Sequence, residues 1–130
     1  MTTRAPDRVM VCVSSNTRAD RVIEAGAGIA ARLRACWYAV YVDTPLERRT
    51  KSREQTVQSH MRLAEARGAI VVRVNAMSPA DGLIAFAQRE GVTHAIFGQS
   101  ARSRWERLRR GSVIARFVAA VADAAVNVVP

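Results

Sequence analysis

The chain has 130 residues, 49% of them hydrophobic and 24% charged, which suits one domain of the commonest size rather than two. No apolar run approaches the roughly 18 residues of a membrane span, and the opening Met-Thr-Thr-Arg-Ala-Pro-Asp lacks the apolar segment of a secretory signal, so a cytoplasmic setting is expected, with residues 1–7 as a flexible tail. The net charge of +9, from 20 basic and 11 acidic residues, is concentrated in Arg48, Arg49, Lys51 and Arg53 and again in Arg102, Arg104, Arg107, Arg109 and Arg110, clusters that attract phosphate.

Val9-Met-Val-Cys-Val13 is a continuous apolar run, the pattern of a strand covered on both faces, and polar Ser14-Ser-Asn-Thr17 ends it. From Arg18 to Arg34, the residues Val22, Gly26, Ile29, Ala30 and Leu33 recur at helical spacing. Trp37-Tyr-Ala-Val-Tyr-Val42 predicts the second strand, stopped by Asp43-Thr-Pro45 because proline cannot donate to a ladder. The basic stretch from Leu46 to Glu54 has no apolar period and is expected as a loop or as the first turn of the next helix. That helix carries Val57, Met61 and Ala64 inward and closes at Gly68 in the left-handed conformation. Ile70-Val-Val-Arg-Val74 predicts strand three. Ser78 caps a helix with Pro79 in its first turn, with Leu83, Ile84 and Ala87 facing inward up to Gly91, and Thr93-His-Ala-Ile-Phe97 follows as strand four. Beyond a long loop, Ser112 is expected to cap a last helix with the stripe Val113, Phe117, Val118 and Val121, and Val126-Asn-Val-Val129 closes the sheet.

Strict alternation of strand and helix implies parallel strands joined by right-handed crossovers. The predicted architecture is therefore α/β: a three-layer, doubly wound, five-stranded parallel sheet of the flavodoxin-like or Rossmann-like kind. In such sheets ligands bind beyond the carboxyl ends of the strands, where strand order reverses. The relevant loops are Ser14 to Thr17, Asp43 to Pro45, and Gly98 to Ser112. The last is a candidate phosphate cradle. Gly98 lets a ligand approach the backbone, Gly111-Ser112 opens a helix whose free amides favour an anion, and Ser100, Ser103 and Ser112 supply hydroxyls beside the loop arginines.

At these positions the sequence resembles the universal stress protein family, whose nucleotide-binding members carry G-x2-G-x9-G-[ST] after the fourth strand. Gly98-x2-Ala101-x9-Gly111-Ser112 keeps the spacing, with Ala101 in place of the middle glycine. Within that family, Arg8-Val-Met-Val-Cys-Val-Ser-Ser-Asn16, Trp37-Tyr-Ala-Val-Tyr-Val42 and Ser103-Arg-Trp-Glu-Arg-Leu-Arg-Arg-Gly-Ser112 are similar to the stress-protein domain of the KdpD potassium-sensing histidine kinases. The resemblance implies ATP or another adenine nucleotide as ligand. Adenine and ribose would lie against Val13, Ser14, Ser15, Tyr41 and Val42, and the phosphates against the fourth loop, with Phe97, Gly98, Ser100, Arg102, Ser103, Gly111, Ser112 and Val113 lining it. Ser14 stands where ATP-binding members carry an acidic residue. Some KdpD domains bind cyclic di-AMP through Ser-x-Ser and, twenty residues on, an aromatic-Thr-Ala-x-Tyr segment. Ser14-Ser-Asn16 and Trp37-Tyr-Ala-Val-Tyr41 keep that spacing, with Asn16 and Tyr38 departing, so cyclic di-AMP is the alternative ligand.

No residues argue for catalysis or a metal. Cys12 and Cys36 sit in apolar runs as expected buried thiols, without a C-x-x-C partner, and His60 and His94 lack companions at ligand spacing, which makes them surface or core-edge histidines. No nucleophile, base and orienting acid occur together. The loop after strand one lacks the glycines of ATP pyrophosphatases and of flavin sites. Nucleic acid is disfavoured as a partner: the charge suits it, yet no recognised motif is present and aromatics are 5%. The expected function is a regulatory module that binds an adenine nucleotide and signals to a kinase or other partner; the alternative is a ligand-free module for homodimerisation or docking. Trp37 is expected in the core. Trp105 either packs its loop onto the last helix or covers a ligand or partner.

Overall fold

The computed structural model describes residues 6–15, 18–45, 50–98 and 113–130. Among these, the strands are β1 (Arg8–Cys12), β2 (Cys36–Asp43), β3 (Ile70–Asn75), β4 (His94–Gly98) and β5 (Ala125–Val129), and the helices are α1 (Ala19–Leu33), α2 (Lys51–Ala66), α3 (Pro79–Glu90) and α4 (Val113–Ala120). All neighbouring strands pair in parallel, in the order β3-β2-β1-β4-β5. That order selects the Rossmann-like alternative, because β1 lies at the centre and the chain winds outward from it in both directions.

The central strands are apolar on both faces because both faces are covered. Val9 and Val11, Ala39 and Tyr41, and Ile96 join the helix residues Val22, Ile23, Ala30, Val57, Met61 and Ala64 in one core cluster on the α1 and α2 side. Met10, Val40 and Val42, Ala95 and Phe97 point the other way, into a second cluster with α3 and α4. This period-two division of one run between two cores is what a doubly covered strand requires. Trp37 is buried in the first cluster, as expected.

The helix ends have local causes. Ser78 accepts the Asp81 amide hydrogen at 3.2 Å to start α3, and Thr50 accepts that of Arg53 at 3.1 Å to start α2. The basic stretch ahead of Glu54 is thus helical from Lys51 onward. Gly68 (φ +96°) and Gly91 (φ +64°) take the left-handed turns that follow α2 and α3. Arg34 does the same after α1, at φ 52° without being glycine.

Several expectations need correction. Cys36 is exposed rather than buried, because it is the first residue of β2, at the amino-terminal rim of the sheet. Cys12 is half-buried, and burial pushes its thiol well above the usual range. Val118 does not belong to the inward stripe and is 48% exposed: Val113 and Phe117, four residues apart, take the core-facing side, and Val118 is turned about 100° away from Phe117. Phe86 was missing from the predicted face of α3, yet it is buried and meets the Tyr38 ring edge-on at 5.2 Å. β1 begins one residue early, at Arg8, and β4 one residue late, at His94.

Candidate functional site

α1 and α2 pack together on one face of the sheet, and α3 and α4 on the other. The chain leaving β1 enters α1, whereas the chain leaving β4 leads to α4, so the exits of these two paired strands diverge to opposite faces. A crevice at the carboxyl ends between β1 and β4 is the geometric result, and it is where open α/β sheets take their ligands.

Of the residues predicted from the sequence, the structure brings together those on the strand ends. Val13 is buried and donates its amide hydrogen to the Val40 carbonyl at 2.9 Å, extending the β1 ladder one step beyond the strand. Ser14 and Ser15 follow it, half-buried, at the mouth. Tyr41 turns its ring into the α1 and α2 core, and Val42 packs its side chain into the opposite core, where it closes on the Cα of Gly82. Phe97 is fully buried against Phe117, edge to face, with centroids 5.4 Å apart. The side chains of Val42 and Phe97 are thus committed to packing, which leaves their main chain to face a ligand. Gly98, half-buried, ends β4, and Val113 is buried at the start of α4. Ser100, Arg102, Ser103, Gly111 and Ser112 lie outside the described residues, as does Trp105.

Two features escaped the sequence reading, one on the edge strand β3 and one on α2. Arg73, on β3, donates from Nε and Nη2 to the Asp43 carboxylate at 3.0 and 2.8 Å, and from Nη1 and Nη2 to Glu54 at 2.6 and 3.1 Å. This fork ties the end of β2 to the first turn of α2. Hydrogen bonding to Arg73 holds the Glu54 carboxyl below its usual range, and Asp43 followed by Glu54 pushes the Arg73 guanidinium further up. The second feature is His60 on α2, which is buried and has Nδ1 3.1 Å from the carbonyl oxygen of Ser14. The available signals were a charge inside the apolar run of β3 and a polar residue three positions after Val57 on an apolar helix face. Such patterns mark a polar group that needs a partner, but do not name the partner.

Among the described residues no group of three or more His, Cys, Asp or Glu is placed to hold a metal ion. Among the same residues no helix is long and apolar enough to cross a membrane. A groove of about 240 Å³ lined by Gln58, Met61, Arg62, Glu65, Val71 and Arg73 lies on the flank between α2 and β3, along the sheet edge and away from the β1 and β4 exits.

A central strand with parallel neighbours on both sides and helices on both faces, with the strand order reversing at β1, defines the doubly wound α/β class. The chain belongs to the universal stress protein family, whose family model matches residues 6–130. Its curated relatives are sensor proteins: KdpD of Escherichia coli strain K12 is 30% identical over 102 residues, covering 78% of this chain and 11% of that protein. KdpD of Clostridium acetobutylicum is 27% identical over 94 residues, covering 72% of this chain and 10% of that protein. The chain therefore spans about a tenth of the length of these relatives. Among solved structures, a universal stress protein in complex with cAMP superimposes with a TM-score of 0.71 at 21% identity, covering 97% of this chain and 98% of the other. The Archaeoglobus fulgidus universal stress protein in complex with dAMP gives 0.67 at 19% identity, covering 95% and 98%. At these identities the likeness establishes the shared fold.

Proposed function

We propose that this chain is a non-catalytic regulatory module that binds an adenine nucleotide in the crevice between the ends of β1 and β4 and passes its occupancy to a signalling partner. The observation that carries the reading is the strand order β3-β2-β1-β4-β5, which sets the exits of β1, β2 and β4 side by side. Adenine and ribose would lie against Val13, Ser14, Ser15 and the main chain of Tyr41 and Val42. The phosphates would lie against Gly98, Val113 and the 99–112 segment, whose serines and arginines suit an anion. The cAMP and dAMP complexes of proteins with this fold favour an adenine nucleotide. ATP is the first ligand to test and cyclic di-AMP the alternative. The similarity to part of KdpD favours a kinase or another signalling protein as the partner, in the cytoplasm.

Titration calorimetry with ATP, AMP, cAMP and cyclic di-AMP tests the reading. Saturable heat with any of them supports it, and the absence of heat at millimolar concentration overturns it. A second reading, a ligand-free dimerisation or docking module, is favoured by the exposed Val118 on α4 and Val128 on the edge strand β5. A dimer by sedimentation together with no nucleotide heat would select it.

A further inference from the structure

His60 lies in the middle of α2, in a stripe otherwise made of Val57, Met61 and Ala64, all three in the core cluster that also holds Val13 and Tyr41. A polar ring in such a stripe costs stability unless it finds a partner. Its partner is the Ser14 carbonyl, 46 positions away in sequence, at 3.1 Å from Nδ1, and His60 itself is only 8% exposed. A carbonyl oxygen accepts and never donates, so Nδ1 carries the hydrogen.

The location matters more than the bond. Val13, just past β1, donates its amide hydrogen to the Val40 carbonyl, and Ser14 is the next residue, at the mouth of the crevice. A donor fixed on a packed helix reaches the chain at that residue. We propose that His60 is a positioning residue of the nucleotide pocket: its Nδ1–H holds the Ser14 carbonyl and so sets the exit of β1 against which the purine and ribose lie. This inference rests on the nucleotide reading given above. It adds α2, which contributes no side chain to the predicted pocket, as the element that presets the pocket's purine side.

The test compares the wild-type chain with His60→Leu and His60→Asn. The Asn amide nitrogen occupies nearly the place of Nδ1 and can donate to the same carbonyl, whereas Leu fills the volume and donates nothing. By calorimetry with ATP, AMP and cAMP, His60→Leu is expected to weaken binding about tenfold, and His60→Asn to stay within about threefold of wild type. ¹⁵N NMR of the ligand-free wild type is expected to show the Nδ1-protonated tautomer of His60. Equal affinity in His60→Leu, or an Nε2-protonated neutral ring, overturns the proposal. Should His60→Leu fail to fold, His60→Gln replaces it, since its amide sits one bond further out, at the place of Nε2, and is expected to weaken binding in the same way. If the wild type takes up none of the nucleotides, the proposed function fails on its own. Hydrogen exchange of the Ser15 amide in the ligand-free proteins then decides the role of His60: faster exchange in His60→Leu that is restored in His60→Asn supports the hold on the loop, and identical exchange in all three overturns it.

Discussion

The guanidinium of Arg73 lies over the ring of Tyr41, 5.1 Å from its centroid. The two residues are register partners on β3 and β2, so the stacking spans the last pair of strands on that side of the sheet. The same guanidinium forks onto Asp43 and Glu54, and one side chain therefore covers an aromatic face, closes the end of β2 and anchors the first turn of α2. Its charge in the middle of an edge strand also discourages pairing with another chain.

Arg73→Ala is expected to lower the unfolding free energy by about 1–2 kcal/mol, from the lost bonds to the largely buried Asp43 carboxylate and the lost contact with the Tyr41 ring, discounted for solvent screening. Arg73→Lys should recover less than half of that, because an ammonium cannot fork onto two carboxylates in one plane. Urea unfolding of the three proteins measures both values. An unchanged midpoint in Arg73→Ala would mean that the fork contributes nothing.

Acid should unfold the chain partly through two carboxyls. Hydrogen bonding to Arg73 lowers that of Glu54, and hydrogen bonding to Ser78 and then Arg116 lowers that of Asp81, from ordinary values of 4.5 and 3.8. The unfolded chain then takes up protons before the folded one does as pH falls. The contribution of these groups is complete above their ordinary values and disappears as pH drops through the folded ones. Both are exposed, so the effect is modest and weakens with salt. Thermal unfolding followed from pH 6 to pH 3 should fall less steeply for Glu54→Gln combined with Asp81→Asn than for wild type, and parallel curves would refute the assignment.

The sheet and its covering helices were legible because burial on two faces leaves continuous apolar runs, and burial on one leaves a 3.6-residue stripe. Partners were not legible. His60 and Arg73 each interrupt an apolar pattern, yet the residues that satisfy them, Ser14 and the Asp43–Glu54 pair, lie far off in sequence and are brought near only by the crossovers. Val118 shows a different limit: Val113 and Phe117 take the core-facing side of α4, so the apolar residue next to Phe117 reads as part of the stripe but falls on the solvent side. The strand-end residues of the candidate site came from the family likeness, and the cradle from the Gly-Ser spacing together with that likeness; residues 99–112 lie outside the described ones.

Gly26 and Gly28, two residues apart on α1, should respond oppositely to alanine. A Cβ at Gly26 collides with Cγ2 of Val11, where α1 presses on β1, while one at Gly28 meets nothing within 4 Å. Gly26→Ala is expected to destabilise by about 1–3 kcal/mol despite the better helix propensity of alanine. Gly28→Ala should stabilise by about 0.5–1 kcal/mol, chiefly by restricting the unfolded chain. Denaturant midpoints decide, and a stabilised Gly26→Ala would mean that α1 can move off the sheet at little cost.

Gly111→Asp tests the phosphate half of the proposed pocket without touching the described core. Gly111 precedes Ser112 and the first residue of α4, Val113, and the proposed function sets the nucleotide phosphates against this stretch. A carboxylate there would meet the phosphates as a like charge at close range, and would itself interact favourably with the start of the helix. The variant should therefore keep the far-ultraviolet circular dichroism and unfolding midpoint of the wild type while losing ATP affinity by at least about a hundredfold. The loss should shrink from ATP to AMP as phosphate charge is removed, which separates electrostatic exclusion from a general collapse of the pocket. A Gly111→Asp protein that bound ATP as tightly as wild type would place the phosphates elsewhere, and the loop arginines would then need another role.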